Sequence, residues 1–158
     1  MGGRSSYCTL MLVGMCDVFP GAINSIPSQV RISFDVRDTD LARRDGVMGA
    51  VETAAKKISE RRGVSIEIEL LNADAPGECA PEVIDALSTS CRKHEHKFLL
   101  MISRAYHDTL FMARIAPVVM PFIPCRNGYS HRSDEYASIE DIARGALVLA
   151  ETLAGLSA

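Results

Sequence analysis

The sequence predicts an α/β protein in two parts: an α/β sandwich built on an antiparallel sheet, then part of a parallel α/β sheet. Three observations carry this. Runs of alternating apolar and polar residues flank a long helical pattern in the first half. Composition shifts to NADAPGECA at 72–80. Beyond that shift, short apolar runs alternate with helical patterns, the signature of a parallel sheet with crossover helices.

Taken in order, residues 7–13 (YCTLMLV) form a short apolar run and are expected to be a buried strand. A loop follows over 18–27, marked by Pro20-Gly21 and by Asn24 to Pro27. Residues 30–37 (VRISFDVR) then alternate. Val30, Ile32, Phe34 and Val36 share one face, and Arg31, Ser33, Asp35 and Arg37 share the other. A helix is expected over 41–62, with Val47, Val51, Ala54 and Ile58 as its apolar stripe. Asp38 or Asp40 can cap its start, and Gly63 can stop it. Residues 64–70 (VSIEIEL) alternate again and complete strand–strand–helix–strand. A domain boundary placed at the composition shift divides the chain into 1–72 and 73–158. The second part reads helix (81–94), strand (98–102), helix (107–114), strand (117–123) and helix (138–154). Pro81 suits a first helical turn, and Ser138 to Asp141 resembles a capping box. Ile142, Ala146, Leu149 and Leu153 are the expected core stripe of the last helix.

The chain has 158 residues, 47% of them hydrophobic, enough for a packed core. A net charge of −3 and the lack of a basic stripe interleaved with aromatics argue against a nucleic-acid partner. No run reaches the roughly 18 apolar residues a membrane span needs, and the run at 8–13 reads as a strand rather than a secretory leader. The five cysteines, at 8, 16, 79, 91 and 125, show no metal-ribbon or redox spacing and read as reduced, mostly structural thiols.

Few residues carry chemistry. The segment PFIPCRNGYSH at 121–131 ends an apolar run in a Pro/Gly turn that delivers His131. A histidine past a strand end can meet a metal or substrate there; the ordinary alternative is a solvated loop side chain. Glu135, four residues on, is either a carboxylate supporting that imidazole or a surface acid. His107-Asp108 opens a short helix and reads by itself as a polar first turn, with Asp108 favoured by the helix dipole. Arg37 stands on the polar face of its strand and Asn24 in the preceding loop. Both are unremarkable by themselves, although an arginine fork suits a carboxylate. His94-Glu95-His96 has the look of a metal cluster but is expected to be a solvated helix end. Cys125 has no base paired with it, and Met101, Met112 and Met120 are expected in the core.

Three stretches act together: PGAINSIPSQVRISFDVRD at 20–38, SRAYHD at 103–108 and PCRNGYSH at 124–131. Together they resemble the carboxyl-terminal part of di-metal amidohydrolases related to aminoacylases and metallo-exopeptidases. The similar branch holds allantoate amidohydrolases, N-carbamoyl-amino-acid hydrolases and, most alike in these motifs, plant-type ureidoglycolate amidohydrolases. Tyr106 stands where allantoate amidohydrolases have a small residue. The resemblance covers 18–154. It implies that residues 1–72 are a partial lid that also dimerises, and that 73–158 are the end of the metal-dependent catalytic domain. It implies His131 as a metal ligand, and Asn24, Arg37 and His107 as substrate-binding residues, the first two serving the partner subunit's site. It further implies two manganese ions, with zinc as the alternative, a small ureido substrate and a homodimer. By resemblance to plant relatives the compartment is the endoplasmic reticulum, with the cytoplasm as the alternative.

The remaining metal ligands and the general-base glutamate of such enzymes have no counterpart here, because no HxD or Glu-Glu stretch occurs. The chain is therefore expected to be truncated. The activity expected of the parent is hydrolysis of ureidoglycolate to glyoxylate, ammonia and carbon dioxide in purine catabolism. The alternatives are an inactive lid and dimerisation fragment, and an enzyme acting on allantoate or N-carbamoyl amino acids.

Overall fold

The computed structural model describes residues 9–157, which fall into two units divided between Pro76 and Gly77. Tyr7 and Cys8, the start of the first expected strand, lie outside the described residues.

In the first unit, β1 (Leu10–Phe19) pairs antiparallel with β2 (Gln29–Arg37). β1 runs further than its apolar text suggested. The reason is Gly14, where the register shifts between Val13 and Met15 and pairing resumes from Met15 opposite Ser33 to Phe19 opposite Gln29. A single bulged residue lets a strand continue past a break in its pattern. Val13, Cys16 and Val18 face Phe34, Ile32 and Val30 across the ladder, so β2's expected apolar face has matching partners. Phe34 and Val36 are half-buried, whereas Val13 is 65% exposed and Ile32 55%.

α1 (Leu41–Arg62) has the expected bounds and packs against β2. Of the two candidate caps, Asp40 is the one used: its carboxylate accepts from the Arg43 amide at 2.9 Å. Gly63 closes the helix at φ +64°, a left-handed conformation that a glycine adopts without a Cβ clash, and its amide donates to Ser59 O at 2.9 Å. The half-buried stripe is Val47, Val51, Ala55 and Ser59. Ala54 and Ile58, expected in that stripe, are exposed. Spacings of 47, 51, 54, 58 and 47, 51, 55, 59 both fit a helical face, and only the packed neighbour chooses between them.

Asp38 fixes the β2–α1 junction. Its buried carboxylate accepts from Arg43 (NH2 at 2.6 Å, Nε at 3.0 Å), from the Thr9 hydroxyl at 2.6 Å and from the Asp40 amide at 2.9 Å. The Arg43 guanidinium first, then the hydroxyl and the amide, hold its pKa well below the usual carboxylate range. A carboxylate with a depressed folded-state pKa stabilises the fold above its unfolded value, near 3.9, and that contribution is lost as pH falls below it. Acid unfolding followed by circular dichroism should therefore be less steep in Asp38→Asn, which should also be less stable at neutral pH. Parallel curves for the two proteins would refute this role.

In the second unit, α2 (Pro81–Lys93) packs against α4 (Ile139–Leu156). Ser138 caps α4 as expected: its Oγ accepts from the Asp141 amide at 3.1 Å and donates to the Asp141 carboxylate at 2.6 Å. The seam is made of small and polar residues: Ser88 and Ser90 on α2, Val148 and Thr152 on α4. The Thr152 hydroxyl lies 3.0 Å from Ser90 Oγ and 2.7 Å from Val148 O. The stripe expected to be core, Ile142, Ala146, Leu149 and Leu153, is instead open, with Ile142 51% and Leu153 56% exposed. The reason is that the seam with α2 is made through Val148 and Thr152, which lie on a different side of α4.

The expected helix at 107–114 contracts to the single turn α3 (Thr109–Met112), and a 3-10 turn spans Arg126–Gly128. Residues 64–70, 98–102 and 117–123 are not strands among the described residues. Alternation and apolarity suit a residue to a sheet, but a strand exists only when a neighbour takes its hydrogen bonds. The sheet among the described residues is β1–β2 alone. Among the described residues no helix is long and apolar enough to cross a membrane.

Candidate functional site

Each unit carries its own candidate residues. In the first, Asn24 lies in the exposed loop between the strands, while Arg37 ends β2 opposite Leu10. Arg37 is half-buried and bound by Asp35, whose Oδ2 accepts from its Nε at 2.9 Å and from its NH2. That hydrogen bond, reinforced by the carboxylate's charge, raises the arginine's pKa above its ordinary value, so it stays cationic. Asp35 was legible as a partner, since residues i and i+2 of a strand share a face.

In the second unit, His107 precedes α3 with Asp108 in the cap position, where the Asp108 side chain makes no capping bond. The His107 ring lies 5.8 Å from the Phe122 ring, and its Nε2 is buried without a hydrogen-bond partner. An unpaired buried imidazole nitrogen is costly unless a ligand or water meets it.

His131 lies exposed in the turn that follows the 3-10 segment, at φ +58°. It does not border the nearby pocket of about 260 Å³ formed by Pro124, Cys125, Arg126, Tyr136, Ser138 and Asp141. Two arginine–tyrosine stacks brace this loop: Arg126 over Tyr136 at 4.3 Å and Arg132 over Tyr129 at 4.0 Å. Arg132 also forks onto Asp134, at 2.8 and 3.0 Å. Glu135 turns back to accept from the His131 main-chain amide at 2.8 Å. A non-glycine residue in the left-handed region costs on the order of 1–3 kcal/mol. A hydrogen bond to a charged acceptor contributes about 1.5–3 kcal/mol, so this one is of the size needed to offset it. Glu135 thus supports the backbone of His131, where the sequence suggested its imidazole.

The His94-Glu95-His96 segment is not the solvated helix end expected. The chain turns back after α2, with Glu95 at φ +56° and the His96 amide on Cys91 O at 2.9 Å. His94 bonds Glu151 of α4, which also pairs with Lys93. The Lys93 and His94 contacts hold the Glu151 carboxyl below its ordinary pKa. His96 stacks on His94 with ring centres 5.9 Å apart, and its Nε2 is buried without a partner. Cys16, Cys79, Cys91 and Cys125 are free thiols, and Cys8 lies outside the described residues.

Among the described residues no three His, Cys, Asp or Glu side chains converge as a metal site. One exposed imidazole falls short of the three protein ligands and open position of a catalytic centre, so these residues alone do not fit a metal.

A short antiparallel hairpin with a helix packed on β2, joined in sequence to a helical unit, is a piece of a larger α/β fold. The chain belongs to peptidase family M20/M25/M40, whose family model matches residues 7–155. Amidohydrolases of this family are generally metal-dependent. Ureidoglycolate hydrolase of Oryza sativa subsp. japonica is 49% identical over 153 residues, covering 96% of this chain and 32% of the relative. The enzyme of the same name from Arabidopsis thaliana is 45% identical, with the same coverage. The crystal structure of AtUAH in complex with glyoxylate superposes with a TM-score of 0.88 at 45% identity, covering 94% of this chain and 36% of that one. The chain thus spans about a third of the length of these relatives.

Proposed function

We propose that these residues serve as the carboxyl-terminal third of a longer, metal-dependent amidohydrolase that cleaves the ureido C–N bond of ureidoglycolate. Residues 1–72 would be part of its lid and 73–158 the end of its catalytic domain. The observation that carries this is the 49% identity to a ureidoglycolate hydrolase across 96% of the chain. It includes SRAYHD and PCRNGYSH within one matched span.

The residues suit the substrate. Ureidoglycolate offers a carboxylate, for which the Arg37 fork is a planar partner. Its ureido group offers donors and acceptors for Asn24 and for the unpaired His107 Nε2. His131 would contribute one imidazole to a centre of two manganese ions, with zinc as the alternative; both accept mixed nitrogen and oxygen ligands. Such ions, when bound in the longer enzyme, would supply hydroxide near neutral pH. The other ligands and the proton-shuttling glutamate would come from outside this chain.

Two further features favour a larger assembly. Apolar side chains stand open on β1, β2 and α4, the kind of surface that further polypeptide covers. Among the described residues the β1–β2 sheet has no third strand on either edge, which suits pairing into a homodimer with Asn24 and Arg37 lent to the partner's site.

The test compares two proteins. The longer enzyme, given manganese, should release ammonia from ureidoglycolate and run as a dimer by light scattering. Purified residues 1–158 should release none above background. Turnover by the 158 residues alone, lost in His131→Ala, would overturn the division of labour proposed here.

A further inference from the structure

We propose that Glu135 is the positioning residue for His131 and that it acts through the main chain, leaving the imidazole to a ligand. This rests on the reading of His131 as a functional group. His131 is held at φ +58°, a region in which non-glycine residues are uncommon. The contact that holds it there is the carboxylate of Glu135, on the His131 amide at 2.8 Å. Glu135 is itself fixed, because its amide donates to Arg132 O at 3.1 Å. Arg132 is locked in turn between the Tyr129 ring and the Asp134 carboxylate. Residues 129–135 therefore form a self-bonded turn with one exposed imidazole. Its ring nitrogens take no hydrogen bond from the described residues, so the carboxylate's contribution is to the direction in which the ring is presented.

The chemistry sets the requirement at position 135. The side chain must span four residues and end in an acceptor. Glutamine keeps the length and a neutral acceptor; alanine keeps neither.

The experiment follows the 158-residue chain by NMR, measuring hydrogen exchange at the His131 amide and broadening of the His131 ring signals by added Mn²⁺. Paramagnetic broadening reports even a weak encounter, so a complete metal centre is not needed. Glu135→Ala should speed exchange at His131 roughly tenfold, the loss of one charged hydrogen bond, and should reduce the ring broadening. Amides in α2 and α4 should not change. Glu135→Gln should restore most of the protection and the broadening. Unchanged exchange at His131 in Glu135→Ala would overturn the proposal, as would loss of protection throughout α2 and α4 in both variants. If exchange responds as expected but Mn²⁺ never broadens the wild-type His131 ring, the backbone role of Glu135 stands and the metal-ligand reading of His131 falls.

Discussion

Replacing Arg37 with alanine in the longer enzyme should raise KM for ureidoglycolate roughly 10- to 100-fold, the effect of losing a charged hydrogen bond worth about 1.5–3 kcal/mol. Bound metal should be unchanged, because nothing in the arrangement of Arg37 makes it a metal ligand. The guanidinium is already set by Asp35, which engages Nε and NH2, so it meets a carboxylate without first losing much side-chain freedom. Arg37→Lys should not restore binding, since a lysine is a point charge and cannot present the fork. Asp35→Ala should raise KM less than Arg37→Ala, because it loosens the arginine without removing it. Steady-state kinetics with metal analysis on the three variants tests this. An Arg37→Ala enzyme with unaltered KM would end the assignment.

What was legible in the sequence divides by the range of the forces involved. α1 has its expected bounds because Asp40, Gly63 and the helical pattern between them act within a few residues. Ser138 on α4 is the same case. β2 shows its alternation because period two is a property of the strand itself. Burial is different. Ile142, Leu149 and Leu153 look like a core stripe on an isolated helix, yet the seam with α2 uses Val148 and Thr152, a choice made by Ser88 and Ser90 about 60 residues away in sequence. Residues 64–70, 98–102 and 117–123 have strand text, but among the described residues no strand pairs with them, so their pattern forms no ladder. The site shows the same division. The candidates His107 and His131 come from motif text, but the buried, unpaired Nε2 of the first and the left-handed backbone of the second are set by folding. The grip of Glu135 on an amide four residues back had no signal stronger than its spacing. His94 and His96 misled because the turn after α2 folds them onto the unit, a result of long-range contact with Glu151.

Gly145→Val should strongly destabilise the second unit, and the effect should be relieved by Ile123→Ala. A Cβ placed on Gly145 would stand 2.5 Å from Ile123 Cγ2, closer than carbon atoms approach in packed interiors. The obstructing atom is on a β-branched side chain whose rotamers are few, so it cannot swing aside freely. Overpacking of this kind costs typically about 1–3 kcal/mol. For Gly145→Ala, that cost is opposed by roughly 1 kcal/mol of gained helix propensity, so alanine should be mildly destabilising. Valine gains less propensity and adds two methyl groups to the clash, so it should be clearly worse. The consequence reaches the candidate site because Ile123 immediately precedes Pro124 and the loop that presents His131. Urea unfolding of Gly145→Ala, Gly145→Val, Ile123→Ala and the Gly145→Val/Ile123→Ala pair forms a double-mutant cycle. A large coupling energy of opposite sign to the single losses is expected, because removing the Ile123 branch opens the space that the new side chain needs. Additive losses would mean that α4 does not rest on Ile123 through Gly145.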